Sequence, residues 1–232
     1  MPKPRREVSR VEGFSDAVFA FAITLLVVSL EVPKTYHELI QAVRGFPAFA
    51  ICFGLLFQIW WRHYRFFRNY DLEDSHVITL TGALLFVVLF YVYPLKFLWS
   101  LVFAPLQGTH ITDAVITAGQ LPVLFAIYGV GAAAAFGLLA ALYAHAYRRR
   151  ATLELTPVEA LDTRVEVYRS IAIAGIGLLS AATAAILAAV APNLVGVAGF
   201  VYFGIGFSEW GLGAYNGRMR KRLASTADTS PA

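Results

Sequence analysis

The sequence predicts an all-α membrane protein with six transmembrane helices and with both termini in the cytoplasm. Of its 232 residues, 58% are hydrophobic, and the mean hydropathy is +0.63. The hydrophobic residues form six long blocks with few charges, and about 20 apolar residues suffice for a helix to cross a bilayer. Basic residues mark the cytoplasmic side. In this arrangement all but three of the 19 lysines and arginines lie on one side, the exceptions being Lys34, Arg44 and Lys96.

The predicted helices span residues 10–32, 45–69, 75–103, 122–147, 158–190 and 194–217. The first begins at a capping box, Ser9-x-x-Glu12, in which each side chain satisfies the backbone N–H of the other residue. It ends before Pro33, because proline is poorly compatible with the interior of a helix. The second helix starts near Pro47 and ends in a run of basic residues.

The remaining four helices have their own start and stop signals. Helix 3 starts at Ser75 and contains Pro94, which is expected to bend it. Helix 4 starts at Pro122 and ends at three arginines. Helix 5 starts at a second capping box, Thr156–Glu159, and is predicted to begin as an amphipathic stretch in the cytoplasm. A turn at Pro192 leads into helix 6.

The chain is predicted to contain a cytoplasmic N-terminus (residues 1–9), one membrane domain (10–217) and a basic, disordered cytoplasmic tail (218–232). Little sequence remains for a soluble domain, so we expect a multi-pass protein of the cell membrane whose function resides in its helices. The basic residues lie at helix ends, which argues against nucleic-acid binding. The single cysteine, Cys52, excludes a disulfide within one chain and a thiolate metal site.

Small residues recur at helical spacing in the last two helices. Ala181, Ala185 and Ala189 lie four residues apart, as do Gly213 and Gly217. Small residues let helices approach closely in lipid. We favour packing within one subunit as their role, with a contact between subunits as the alternative.

Three ionisable residues lie inside predicted membrane helices at similar depth: Asp16, His63 and Glu209. Ionisable residues within a membrane are costly and point to function, and a buried carboxylate needs a hydrogen-bond donor. On this topology the available donors are His63, Trp60, Arg10 and Asn216. Such a cluster can lock the helices together, take part in gating, or do both.

The start of helix 1 carries a distinctive spacing, from Arg10 to Phe14, Ser15 and Asp16. Arg-x-x-x-Phe-Ser-Asp at the cytoplasmic start of a first membrane helix resembles the endolysosomal potassium channel family, transmembrane protein 175 and its prokaryotic relatives. The resemblance continues through residues 17–26, and it includes Trp60 and His63 near the inner end of helix 2.

The resemblance implies a potassium-permeable channel that conducts passively, with K⁺ as the permeant ion and no cofactor. Family members lack the Thr-Val-Gly-Tyr-Gly filter of other potassium channels, and this chain lacks it too. In the family, the first helix of each subunit lines the pore, and prokaryotic members with one six-helix repeat form tetramers. Because this chain has no second Phe-Ser-Asp, the resemblance implies a homotetramer in the lipid bilayer.

The resemblance also assigns roles to the motif residues. It implies that Ser15 and Asp16 bond to neighbouring helices instead of coordinating ions. We group them in one structural and gating network with Arg10, Phe14, Trp60, His63, Glu209 and Asn216.

Helical geometry gives helix 1 a narrow stripe, at 3.6 residues per turn, formed by Asp16, Ala20, Ile23, Val27 and Leu30. On a membrane helix such a stripe usually packs or faces lipid. The resemblance reverses this expectation, because four copies around an axis would form aliphatic rings that can gate by dewetting. We predict that Ile23 forms the narrowest point, with the Thr24 hydroxyl beside it. Glu12 and Glu31 are predicted at the pore mouths, where they would raise the cation concentration.

Other classes of protein remain as alternatives. A proton pathway would use His63, Asp16 and Glu209 and is compatible with a channel fold. A cation-coupled secondary transporter predicts inverted repeats and matched breaks in two helices, and Pro94 has no matched break elsewhere. An intramembrane enzyme predicts a nucleophile–base pair or a metal cluster. The sequence has no His-Glu-x-x-His and no Gly-x-Ser-x-Gly, so neither an enzyme nor a metal site is predicted.

Overall fold

A computed structural model of the chain describes residues 8–28, 34–102 and 118–228. Within these ranges the chain is helical and contains no strand, in agreement with the predicted fold class. It forms two compact units, Met1–Ala114 and Val115–Ala232.

In the residues that the structure describes, the first unit has four α-helices: α1 (Arg10–Val28), α2 (Tyr36–Arg44), α3 (Phe46–Asn69) and α4 (Ser75–Val102). Capping side chains fix where two of them begin. Ser9 Oγ accepts a hydrogen bond from the Glu12 backbone N–H at 3.1 Å, as the capping box predicts. Asp74 Oδ1 accepts one from the Val77 N–H at 3.0 Å. Both side chains satisfy N–H groups that lack a partner within the helix.

Helix α2 is a nine-residue element that the sequence analysis did not predict. Thr35 Oγ1 accepts a hydrogen bond from the Glu38 N–H at 3.2 Å, and Glu38 Oε2 accepts one from the Lys34 N–H at 2.6 Å. One residue, Gly45, separates it from α3. A search for long apolar blocks misses α2, because it is short and its apolar residues are interrupted by polar ones.

The core of the first unit lies where α1, α3 and α4 pack against one another. Most of its fully buried side chains are apolar and come from all three helices, among them Phe19, Ala22, Leu26, Leu56, Phe66, Phe67, Val77, Leu84 and Val88. Because lipid is as apolar as these side chains, close van der Waals packing is what holds such helices together in a membrane.

The second unit contains a 3-10 turn (Ala118–Gln120), α5 (Leu121–Arg148), α6 (Pro157–Val190), a 3-10 helix (Pro192–Phe203) and α7 (Gly204–Asp228). Helix α6 packs along α5 and also contacts the 3-10 helix and α7. Its start confirms the second capping box. Thr156 Oγ1 accepts a hydrogen bond from the Glu159 N–H at 3.3 Å, and Glu159 Oε2 accepts one from the Thr156 N–H at 2.8 Å.

The region predicted as helix 6, residues 194–217, differs from the structure at both ends. Its first part is the 3-10 helix, which begins at Pro192 and contains two glycines with low helix propensity. Ser180 Oγ on α6 donates to the Ala198 carbonyl at 2.8 Å within this segment. At the other end α7 continues to Asp228, so residues 218–228 are helical, where the sequence analysis expected a disordered tail. No proline or glycine in residues 218–228 interrupts the helix.

Helices α5 and α6 cross closely where two glycines face each other. A methyl group added at Gly129 would collide with the Gly177 carbonyl oxygen and lie 2.9 Å from Ala181 Cβ. At Ala181, therefore, the small side chain serves packing within one subunit, as we favoured. Ala185 and Ala189, in contrast, are exposed.

Gly129→Ala is expected to destabilise the protein, because the added methyl group forces α5 and α6 apart. Overpacking of this kind costs about 1–3 kcal/mol. Gly137→Ala on the same helix is the matched control, since nothing lies within 4 Å of its added methyl group and alanine favours a helix over glycine. The measurement is the thermal midpoint in detergent, followed by size-exclusion chromatography. Equal midpoints for the two variants would contradict the close crossing.

Four segments of the described chain are long and apolar enough to cross a membrane: Ser75–Leu98, Leu121–Arg148, Pro157–Val190 and Pro192–Leu223. Helices α2 and α3 add a fifth if they form one bent span. The chain therefore has the character of a multi-span membrane protein. The count of six spans and the side on which the termini lie stay predictions.

Candidate functional site

Helix α1, which carries the Phe-Ser-Asp motif, presents two different faces. One face is packed against α3 and α4, and its side chains are at most 5% exposed: Glu12, Ser15, Phe19, Ala22 and Leu26. These residues recur every three or four positions, as one side of a helix requires. The opposite face is open: Phe14 is 64% exposed and Phe21 57%, and Ala17, Ala20 and Thr24 are also exposed.

The predicted aliphatic stripe of α1 lies at the edge of this open face. Ala20 is exposed and Ile23 is half-buried. Thr24 lies beside them, and its Oγ1 donates a hydrogen bond to the Ala20 carbonyl at 2.9 Å. The side chain of Val27, and the whole of Leu30 and Glu31, lie outside the described residues.

Glu12 does not lie with this stripe. It is 5% exposed on the packed face of α1, whereas the sequence analysis assigned it to a pore mouth. The helical spacing explains the difference, because Glu12 lies three positions before Ser15 and seven before Phe19, which are both buried on the packed face.

Asp16 is held by one of the four predicted donors. Trp60 Nε1 on α3 donates a hydrogen bond to Asp16 Oδ1 at 2.8 Å, and Asp16 is half-buried. A hydrogen bond to a charged group is stronger than one between neutral groups. This bond therefore ties the motif end of α1 to the C-terminal half of α3.

Ser15, the motif residue before Asp16, is fully buried but bonds within its own helix. Its Oγ donates to the Val11 carbonyl at 2.7 Å. This differs from the bond to a neighbouring helix that the resemblance implied. Arg10 and Phe14 are exposed at the start of α1.

His63 lies in the core of the first unit, packed against aromatic rings. It is 1% exposed, and its ring centroid lies 5.7 Å from that of Phe19 and 4.9 Å from that of Phe67. Among the described residues, its Nε2 has no hydrogen-bond partner. Phe19 and Phe67 therefore enclose His63 in aromatic packing between α1 and α3.

An aromatic ladder, which the sequence analysis did not identify, runs along α3 to the Asp16 contact. Successive ring centroids are 5.2–6.2 Å apart along Phe46, Phe49, Phe53, Phe57, Trp60 and Tyr64. The signal is present in the sequence as aromatic residues three or four positions apart, which is the spacing of one helix face. The ladder positions the Trp60 ring from both sides.

Glu209 and Asn216 bind partners on α6 in the second unit. Glu209 Oε2 lies 3.3 Å from Arg169 Nε, and Arg169 Nη1 also donates to Glu166 Oε1 at 3.0 Å. Arg169 was not among the predicted partners of Glu209, although the spacing of Glu166 and Arg169 by three residues is that of an ion pair on one helix face. The predicted common depth of Glu209 with Asp16 and His63 stays a prediction.

Asn216 and Arg220 both bind Asp162, near the start of α6. Asn216 Nδ2 donates to Asp162 Oδ1 at 3.0 Å, and Arg220 Nε donates to the same oxygen at 3.0 Å. A further contact joins Arg220 Nη2 to Asp162 Oδ2. Charge-assisted hydrogen bonds therefore attach α7 to α6. Arg220 belongs to the tail that was expected to be disordered.

The described residues contain no cluster of three or more histidine, cysteine or acidic side chains that could hold a metal ion. Helix α1 offers a different group, on its open face. Small and aliphatic residues flank one hydroxyl there, and the Thr24 hydrogen atom is already donated to the backbone. Its oxygen is therefore left as an acceptor, which is the property that a cation requires.

Comparison with known proteins gives consistent matches. A family model described as "Endosomal/lysosomal potassium channel TMEM175" matches residues 10–91. A protein from Marivirga tractuosa called "Potassium channel" is 40% identical over 182 residues, which cover 75% of this chain and 74% of that protein. A potassium channel from Chamaesiphon minutus is 34% identical over 98 residues, covering 38% and 47% of the two chains.

Two solved structures share the fold. A crystal structure of a variant of the potassium channel MtTMEM175, bound to a nanobody–MBP fusion, matches with a TM-score of 0.79 and 33% identity. The match covers 95% of this chain and 96% of that one. A second, of a lysosomal potassium-selective channel TMEM175 homologue from Chamaesiphon minutus, matches with a TM-score of 0.54 and 22% identity over 88% of this chain and 96% of that one. The second likeness concerns the fold alone.

Proposed function

From the premise that this chain belongs to the endosomal/lysosomal potassium channel family TMEM175 and is a potassium channel of the membrane, we propose how it conducts. Four identical copies assemble around a common axis in the cell membrane, with six spans each and with both termini in the cytoplasm. The open face of each α1 lines the pore between them. Potassium moves passively down its electrochemical gradient, and no cofactor takes part.

The observation that carries this proposal is the open face of α1. One side of α1 is packed in the core, and the bond between Trp60 and Asp16 holds it in place. The other side of α1 is exposed and is available to line the pore or to contact a neighbouring copy. The small side chains of Ala17 and Ala20 on this face leave room for a water-filled path. The described chain consists mostly of apolar helices, so the pore is assigned to these helices.

The gate of the proposed pore is a ring of Ile23 side chains. Water leaves a narrow aliphatic ring readily, so the ring resists ion passage unless it widens. The Thr24 hydroxyl oxygens beside it offer acceptors that replace part of the hydration shell of a potassium ion. On the basis of their spacing in the sequence alone, we propose that Val27 and Leu30 extend the apolar stripe and that Glu31 raises the cation concentration at the mouth. We retain this role for Glu31 and not for Glu12, which is buried.

The motif network holds α1 in place rather than touching the ion. Asp16 and Trp60 join α1 to α3, and His63 packs against Phe19 between the same helices. In the second unit, Glu209 and Asn216 hold α7 on α6 through Arg169 and Asp162. Movement of α1 that opens the ring would have to stretch or break the first set of contacts, which makes them a gating element.

The two alternative functions are less well supported by the contacts. A proton pathway would need His63 and Asp16 to exchange a proton, whereas Asp16 binds Trp60 and His63 packs between aromatic rings. A coupled transporter predicts matched breaks in two helices, and the sequence has no break that matches Pro94.

The test is flux through the purified protein in liposomes, with potassium and proton movements followed by separate dyes. We expect potassium flux down its gradient with no second ion present on either side. Flux that strictly requires a second ion would establish a coupled transporter instead. Proton flux of the same size with potassium absent would establish the proton channel.

A further inference from the structure

Helix α2 has an apolar face that no other part of the described chain covers. Tyr36 is 79% exposed, Leu39 46% and Val43 59%. At 100° per residue these three side chains lie on one side of the helix, together with Ile40. Glu38 lies on the opposite side with His37 next to it, and both are also exposed. The helix is therefore amphipathic, with its apolar side open.

We infer that α2 is an interfacial helix, which lies along the membrane surface with its apolar face in the boundary between lipid headgroups and acyl chains. Nine residues at 1.5 Å each reach about 14 Å, so α2 is too short to cross a hydrocarbon layer of about 30 Å. Amphipathic helices that are bound to a membrane surface bury their apolar face about 5–10 Å into this boundary.

The position of α2 in the chain supports lipid as the occupant of this face. Only Gly45 separates α2 from α3. The first residue of α3, Phe46, is itself 61% exposed, so the open apolar surface runs from α2 onto the start of α3. A surface that continues onto a helix of membrane length lies at the level where that helix enters the bilayer.

The charged and aromatic residues of α2 also support its placement at the membrane surface. Lys34 precedes the helix and Arg44 ends it, and both are exposed, so a cation is available at each end for lipid phosphate groups. The carboxylate of Glu38 is bonded to the backbone N–H of Lys34 in the cap, which reduces its repulsion of phosphate. Tyr36 is of the type enriched at membrane interfaces, because its ring is apolar and its hydroxyl is polar.

Site-directed spin labelling tests this placement in vesicles of phosphatidylcholine and phosphatidylglycerol. Single cysteines are introduced as Leu39→Cys and Val43→Cys on the apolar face, and as His37→Cys and Glu38→Cys on the polar side. All four positions are exposed, and the native Cys52 is fully buried, so it is left in place and checked for labelling in the unsubstituted protein. Collisions of each nitroxide with oxygen, which concentrates in lipid, are compared with collisions with a water-soluble nickel chelate.

We expect the logarithm of the oxygen-to-nickel collision ratio to be positive at positions 39 and 43 and negative at positions 37 and 38. Two results would overturn the inference. Nickel access at all four positions would place α2 in water. Immobile labels at 39 and 43 that neither reagent reaches would mean that protein, such as a second copy of the chain, covers the face. The measurement does not depend on conduction, so it stands whatever the flux assay gives.

Discussion

Ile23→Asn is expected to lower the selectivity for potassium over sodium and to raise the resting ion flux. In the proposed pore, the isoleucine ring keeps its centre dry, so an ion passes only by giving up part of its hydration shell. A carboxamide at the same position holds water and offers its own oxygen, which reduces the cost of passage for either ion. Sodium gains more, because it holds its hydration shell more strongly.

The size of the effect follows from the weak discrimination that an aliphatic ring provides. We expect the permeability ratio to fall by up to about tenfold, which corresponds to about 1.4 kcal/mol. The ratio is measured from reversal potentials in planar bilayers under opposed potassium and sodium gradients. Ile23→Ala is expected to act in the same direction, because it widens the ring without adding a polar group.

The matched control is Ile78→Asn, the same chemical change on an exposed position of α4, where the side chain is 48% exposed. It is expected to leave the permeability ratio unchanged, because α4 does not line the proposed pore. An unchanged ratio in Ile23→Asn, in a protein that still conducts, would remove Ile23 from the selectivity role. Equal changes in both variants would point to a general effect on folding or assembly.

The parts of the site that sequence predicts well are those set by local spacing. Ser9 and Glu12 start α1, and Thr156 and Glu159 start α6, because a cap depends on residues three positions apart. The packed and open faces of α1 do not follow from spacing alone. The stripe through Ile23 lies at their edge, and Glu12 falls on the packed side because α3 and α4 lie there.

Contacts between helices could not be predicted from the sequence. Sequence offered four donors for the deep carboxylates, and only the packing of α3 on α1 selects Trp60 for Asp16. The ion pair between Arg169 and Glu209 was not predicted, because the arginines were used only to identify the cytoplasmic side. Helix α2 was missed for a different reason: its nine residues are too few and too polar for a search that looks for membrane-length apolar blocks.

Trp60→Phe is expected to destabilise the first unit and to loosen α1, although an aromatic ring remains in the ladder on α3. The substitution removes the indole N–H that donates to Asp16 Oδ1 at 2.8 Å. The half-buried Asp16 carboxylate then lacks this donor. Hydrogen bonds to charged groups contribute about 1.5–3 kcal/mol, and the cost of an unsatisfied buried acceptor adds to the loss. The measurement is the thermal midpoint of unfolding in detergent.

Trp61→Phe is the matched control for this change. Trp61 is the next residue on α3, is 46% exposed and also stacks on Tyr64 at 5.6 Å, so its loss removes an indole without removing the bond to Asp16. A double-mutant cycle with Asp16→Ala then isolates the pair. If the bond carries the effect, Trp60→Phe costs little once Asp16 is alanine, whereas additive losses would show that the two residues act separately. Since the same bond joins the proposed pore helix to α3, a coupled pair predicts that Trp60→Phe also changes the potassium flux and that Trp61→Phe does not.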